Sequence, residues 1–241
     1  MPERIVSLAP SGTATLTALG AADRVVGVTH HCELDREPIG GWLNPDLERV
    51  EELEPDLAVT SDELQSDITR QLRDRDIDTF HHEPEGLEAV VDGFALLGDA
   101  IGQSKAGISL AATSRNRLHA VSDRVAHRDQ PVVYCEEWSD PPMVAGNWVP
   151  EAVQAAGGQY PFAGPGDRSR EIEASEVVAA DPDQVVLHVC GHGDTADAAT
   201  VRERGWDLDA PVHVLDDSLL NQPSPRLIDG IERLAEVIHT D

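Results

Sequence analysis

Short apolar runs alternate with helix-length amphipathic stretches along most of this chain, and few folds accept that alternation. Residues 4–8, 25–28, 57–60 and 77–80 read as strands. Between them Ser11 precedes an apolar stretch at 13–19 as the expected N-cap, and Asp46 does the same for 47–53. Leu64, Ile68 and Leu72 recur at i, i+4 and i+8 within 63–73. Strands separated by helices build βαβ units around a parallel sheet. The pattern then changes: Leu87, Val90, Val91, Phe94, Leu97 and Ile101 mark one face of a long helix, and a second helix runs from Ser104 to about His127. About 24 residues at about 1.5 Å each span roughly 36 Å, enough to run from one domain into another. Strands resume at 131–136, 185–190 and 212–215, with helices at 149–156 and 225–238. The expected architecture is α/β with parallel sheets: a first lobe at 1–85, a helical region at 86–129 that includes the spanning helix, and a second lobe at 130–241.

Charge narrows the partners. The 241 residues carry 45 Asp+Glu against 18 Lys+Arg, a net charge of −27, and Lys105 is the sole lysine. Nucleic acid is excluded as a partner, because counterion release needs a basic face. The acids are spread along the chain rather than blocked, which reads as a hydrated surface adapted to molar salt, where the Debye length shrinks to about 3 Å. Cys32, Cys135 and Cys190 are an odd number without framework spacing, so no disulfide scaffold is expected. No apolar run approaches the ~18 residues of a membrane span.

Ligands of open parallel sheets lie beyond the carboxyl ends of the strands. Here those ends are 9–12, 29–32, 61–62, 81–82, 137–140, 191–194 and 216–218, and they hold a concentration of histidine, cysteine and tryptophan. His30-His31-Cys32 and Cys190-Gly191-His192 are donor types that suit zinc, copper or haem iron, but neither has the spacing of a metal motif, and both also read as polar cleft lining. Trp42, Trp138 and Trp148 fall in loops or at a helix start, where indole faces suit a large flat ligand; local packing is the alternative. Trp206 reads as core. Nucleophile motifs are missing, and Ser11 is accounted for as a cap. Glu136 and Glu137 are neighbours on a strand, so only one of the two faces a cleft.

Several ordered segments resemble the substrate-binding proteins of vitamin B12 and iron-siderophore ABC transporters, most closely their cobalamin-binding branch. They are RIVSLAPS at 4–11, DRVVGVT at 23–29, LEPDL at 53–57, EWSDPPMVAGNWVPE at 137–151, AAGG at 155–158, ADPD at 180–183 and SPRL at 224–227. The resemblance implies two Rossmann-like lobes joined by one long rigid helix, and a non-enzymatic monomer that binds cobalamin or a related corrinoid in an inter-lobe cleft for an ABC importer. By matching positions it implies ligand contacts from Pro10, Ser11, His30, His31, Cys32 and Trp42, and from Trp138, Asn147, Trp148, Cys190, Gly191, His192 and Asn221. No intrinsic cofactor is implied, and His30 or His31 is a candidate axial ligand to cobalt. Docking on a permease would use Glu37 on one lobe and Glu171 or Glu173 on the other. The family is exported, yet residues 1–8 carry neither a signal-peptide core nor a lipobox cysteine, so the sequence as it stands reads as cytoplasmic unless its start is processed. The alternatives are haem, siderophore-bound iron or another metabolite on the same fold, or a metal-dependent enzyme using His30, His31, Cys190 and His192.

Overall fold

The computed structural model describes residues 1–240. Its elements run β1 (Ile5–Ser7), α1 (Pro10–Ala18), β2 (Val25–Val28), β3 (Glu37–Pro38), α2 (Leu47–Glu52), β4 (Leu57–Ser61), α3 (Ser66–Arg73), β5 (Thr79–His82), α4 (Leu87–Ala100) and α5 (Ser104–Val125). They continue with β6 (Val133–Ser139), β7 (Pro142–Val144), α6 (Val149–Ala155), β8 (Arg170–Glu171), α7 (Ala174–Ala180), β9 (Gln184–Leu187), α8 (Ala199–Glu203), β10 (Val212–Val214) and α9 (Pro225–Val237). The chain forms two compact units, residues 1–84 with 91–113 and residues 85–90 with 114–240. The helices expected as a separate region at 86–129 are shared between these units, and α5 changes unit at Ser114 without a break.

The first unit is built on an all-parallel sheet in the order β3-β2-β1-β4-β5. Because side chains alternate along a strand, each strand feeds both faces. Ile5, Val25, Val28, Leu57 and Val59 pack with Leu16 and Leu19 of the α1 segment and Leu97 and Ile101 of the α4 segment. Val6, Leu8 and Ala58 pack on the opposite face with Val50, Ile68 and Leu72 from α2 and α3. Covering both faces is what a parallel sheet requires. Gly12 lets α1 approach closely, since a Cβ there would lie 2.6 Å from Val59 Cγ1.

Two local expectations change. Helix α1 begins at Pro10 with Ala9 in the cap position, so Ser11 is not the N-cap but a buried residue of the first turn. Proline starts a helix without penalty because the N–H it lacks would have no partner there. In the 63–73 stretch a 3-10 turn occupies Glu63–Gln65 before α3, which rotates Leu64 out of the apolar face; it is 62% exposed while Ile68 and Leu72 are buried. Asp46 does cap α2, accepting from Arg49 N at 3.0 Å.

The second unit carries a mixed sheet in the order β10-β9-β6-β7-β8, parallel across β10, β9 and β6 and antiparallel from β6 to β8. Strand β6 therefore runs past its expected end and turns back as a hairpin, which makes Glu137, Trp138 and Ser139 strand rather than loop. Helix α5 is clamped here: Arg117 reaches Glu232 at 2.6 and 2.8 Å and Asp229 at 2.6 Å on α9. At the heart of this unit lies a charge. Glu136 is fully buried and takes Arg204 Nη1 at 2.6 Å and Nη2 at 2.8 Å, Tyr134 Oη–H at 2.9 Å and Ser139 Oγ–H at 2.7 Å. The Arg204 guanidinium lies 5.0 Å from the centre of the half-buried Trp206 ring. Every carboxylate oxygen is satisfied, so the pair is tolerated, and removing one member leaves an uncompensated buried charge. We therefore expect Arg204→Met to destabilise the protein by about 3–5 kcal/mol in denaturant titrations. Adding Glu136→Gln to it should recover part of that loss; no loss in Arg204→Met would contradict the geometry.

Candidate functional site

In the first unit the carboxyl ends of four parallel strands are tied to one another. The Leu8 carbonyl, just beyond β1, accepts from Thr29 Oγ1 at 3.2 Å, just beyond β2, and from Gln65 Nε2 at 2.9 Å, beyond β4. The same Gln65 amide donates to the Trp42 carbonyl at 2.7 Å, and its Oε1 accepts from Ser61 N at 2.9 Å. His30 N donates to Gly40 O at 3.1 Å, joining the loops after β2 and β3. Gln65 is fully buried. It was not among the expected site residues, and one glutamine inside a polar run emits no periodic signal.

Around this knot lie the residues singled out from the sequence. His30 and His31 are exposed, Pro10 and Trp42 are half-buried, and Ser11 is buried. Cys32 turns inward, packing against the Ile5 and Val28 cluster with its Sγ 3.3 Å from Thr29 Oγ1. Leu43 follows Trp42 in sequence and Leu64 precedes its partner Gln65, and they are 52% and 62% exposed.

In the second unit a carboxamide again organises the strand ends. Asn221 Nδ2 donates to the His188 carbonyl at 2.9 Å, and its Oδ1 meets His188 Nδ1 in a short contact. Gly191 N donates to Asp217 Oδ2 at 2.6 Å, and Cys190 N to Glu137 O at 2.9 Å. The Asn221 side chain, expected to face a ligand, is thus engaged by His188. Cys190, Gly191 and His192 are exposed at the end of β9. Although the residue is exposed, partial desolvation of the thiol, with the Asp217 and Glu137 carboxylates nearby, raises Cys190 above the ordinary cysteine value. Trp138 is 44% exposed, its Nε1–H donating to Asp140 O at 2.9 Å. Trp148, expected to face a ligand, is 5% exposed and donates its indole N–H to Leu220 O at 2.7 Å, so most of the ring is packed in the second unit. Asn147 holds a left-handed backbone (φ 55°), its N–H and C=O bonded to Asp167 O and Gly166 N. Among the described residues no group of three or more His, Cys, Asp or Glu is arranged to hold a metal ion. A hollow of about 470 Å³ in this unit is lined by His127, Arg128, Asp183 and His239, and it includes none of the expected ligand residues.

The sequence profile of the periplasmic binding protein family matches residues 5–210, and the chain belongs to that family, whose members bind solutes and are not enzymes. Among its relatives is the cobalamin-binding protein of Halobacterium salinarum, 28% identical, the match covering 99% of this chain and 70% of that protein. The ABC transporter substrate-binding lipoprotein YvrC of Bacillus subtilis, whose function is uncharacterised, is 28% identical over 100% of this chain and 81% of its own. The fold is shared with a periplasmic haem-binding protein from Pseudomonas aeruginosa, TM-score 0.85 at 24% identity, covering 98% of this chain and 92% of that one. The family is extracytoplasmic, and no helix among the described residues is long and apolar enough to cross a membrane.

His188 makes the second loop cluster sensitive to acid. Complete burial, only partly offset by Asn221, Asp217 and Glu136, pushes its imidazole down to about 4 from 6.5. The native protein keeps this ring neutral across that interval while the unfolded chain protonates it. The unfolded chain then binds more protons, so this contribution to stability is complete above about pH 6.5 and is lost as pH falls toward 4, by on the order of 3 kcal/mol. We expect His188→Gln to flatten the stability profile between pH 6.5 and 4 relative to the parent; parallel profiles would contradict the burial of a neutral ring.

Proposed function

We propose that this chain binds cobalamin or a related corrinoid as the solute-binding component of an ABC importer. The observation that carries the reading is the alignment, over nearly the whole chain, with a protein named for cobalamin binding from Halobacterium salinarum. The chemistry of the strand ends is compatible with it. Trp42 and Trp138 offer indole surface, Leu43 and Leu64 add apolar area, and the neighbouring main chain is held by internal bonds. A corrin is broad, flat and partly apolar, with amide side chains that suit the polar loops at Pro10, Ser11, Cys190, Gly191 and His192. An exposed imidazole, His30 or His31, is the candidate for an axial bond to cobalt. For permease docking, Glu171 and Glu173 are exposed, whereas Glu37 is already paired with Arg49 at 2.6 Å and would have to exchange partners. The haem-binding structural neighbour keeps haem as the second reading. The acidic surface, in this reading, keeps the protein hydrated and soluble in molar salt.

Equilibrium dialysis against cyanocobalamin and, separately, haemin separates the two readings. Saturable cyanocobalamin binding with no comparable haemin binding is expected; the reverse would overturn the corrinoid assignment. Trp42→Ala should weaken cyanocobalamin binding by about 1–3 kcal/mol, the range of a buried aromatic contact, without a comparable loss of fold stability. Trp148→Ala should instead cost about 3–5 kcal/mol of fold stability, as for a core aromatic. Equal affinity in Trp42→Ala and the parent would remove Trp42 from the site.

A further inference from the structure

The segment that carries Trp42 is weakly anchored by its own backbone. Gly40 and Pro45 form an isolated bridge at its base, and Asp46 N donates to Ile39 O at 2.9 Å. Between those points, among the described residues, the bond from Gln65 Nε2 to Trp42 O is the one hydrogen bond that ties residues 41–44 to the rest of the unit. That donor is not adjustable. Gln65 is fully buried, and its other amide hydrogen is directed to Leu8 O while its oxygen holds Ser61 N, so the carboxamide has one orientation that satisfies all three partners. A glutamine serving only to satisfy core polar groups would bond to Leu8 and Ser61, both at strand ends. The third bond reaches across 23 residues to the main-chain carbonyl of Trp42, in the loop that carries the indole.

We propose that Gln65 is a positioning residue of the ligand site, one that never touches the ligand but fixes where Trp42, and with it Leu43, is presented. This rests on the assignment of Trp42 as a ligand contact, and it extends that assignment to a residue the ligand does not reach. It also accounts for the exposure of Leu64, because the 3-10 turn that brings Gln65 under the Trp42 loop turns its neighbour outward. A carboxylate at this position would keep the acceptor for Ser61 N but set oxygen against the Leu8 and Trp42 carbonyls. Such a carboxyl titrates above its ordinary value, and on protonation it regains one O–H donor.

The test uses the full chain with Gln65→Leu and Gln65→Glu, each also made with Trp42→Phe so that Trp42 emission is obtained by difference. In ligand-free protein, Gln65→Leu is expected to shift Trp42 emission to the red and increase its quenching by acrylamide. Gln65→Glu should do the same at pH 8 and return toward the parent at pH 5, with the parent measured at both pH values as control. Titration with cyanocobalamin should show affinity lower by about tenfold or more in Gln65→Leu, the loss of one to two hydrogen bonds' worth of loop order, with acid rescue in Gln65→Glu. Unchanged Trp42 emission and quenching in a folded Gln65→Leu protein would overturn the proposal whether or not a ligand binds, and so would a displaced Trp42 with unchanged affinity. If the parent itself fails to bind cyanocobalamin, the corrinoid reading falls and the ligand-free emission decides the positioning role alone. Should Gln65→Leu not fold, Gln65→Glu carries the comparison, and no recovery at pH 5 relative to pH 8 would overturn the proposal.

Discussion

The carbonyl of Leu8 is the point on which the first unit's strand ends depend. A parallel sheet satisfies its own backbone only along the strands, and where the strands stop, buried donors and acceptors must find other partners. Leu8 O is met by a threonine from beyond β2 and a glutamine from beyond β4, and that glutamine passes the connection on to Trp42. Loops after four strands thereby become one hydrogen-bonded body. Binding then orders fewer groups, which is the main route by which a preformed site gains affinity.

The second unit solves the same problem with different residues. Asn221 bonds both the ring and the carbonyl of His188, and Asp217 holds Gly191, so the loops after β9 and β10 are joined much as Gln65 joins those of the first unit. Below them the Glu136–Arg204 pair anchors the stretch that follows α8 to β6 and its hairpin. Both networks replace solvent with fixed partners around groups that would otherwise be costly to bury. The acids on the surface do a separate job. A net charge of −27 is a property of the solvent-facing side chains, while the buried carboxylate at Glu136 has its own arginine.

What the sequence reveals and what it hides divide along physical lines. Strand β2 is legible as a short apolar run and helices α2, α4 and α9 because burial imposes a period of 3.6 on their apolar residues, and Asp46 is legible as a cap because capping is a local bond. The β6–β7–β8 hairpins are not, since β7 opens with proline and β8 has two residues. Ser11 is a reasonable cap by type, but Pro10 starts the helix two residues early. At the site, the exposure of His30, His31 and Trp138 follows from their place after or at the end of strands. The burial of Trp148 and the roles of Gln65, His188 and Asn221 rest on bonds that connect residues 23 to 72 positions apart. No local pattern encodes such a bond.

The strand-end segments are held in place before any ligand arrives, and amide hydrogen exchange in the ligand-free protein measures that directly. The N–H groups of Ser61, Cys190 and Gly191, donating to Gln65, Glu137 and Asp217, should be protected like those of the neighbouring strands. Gln65→Leu should release Ser61 alone. Exchange of these three amides at the rate of an unstructured loop in the parent protein would contradict it.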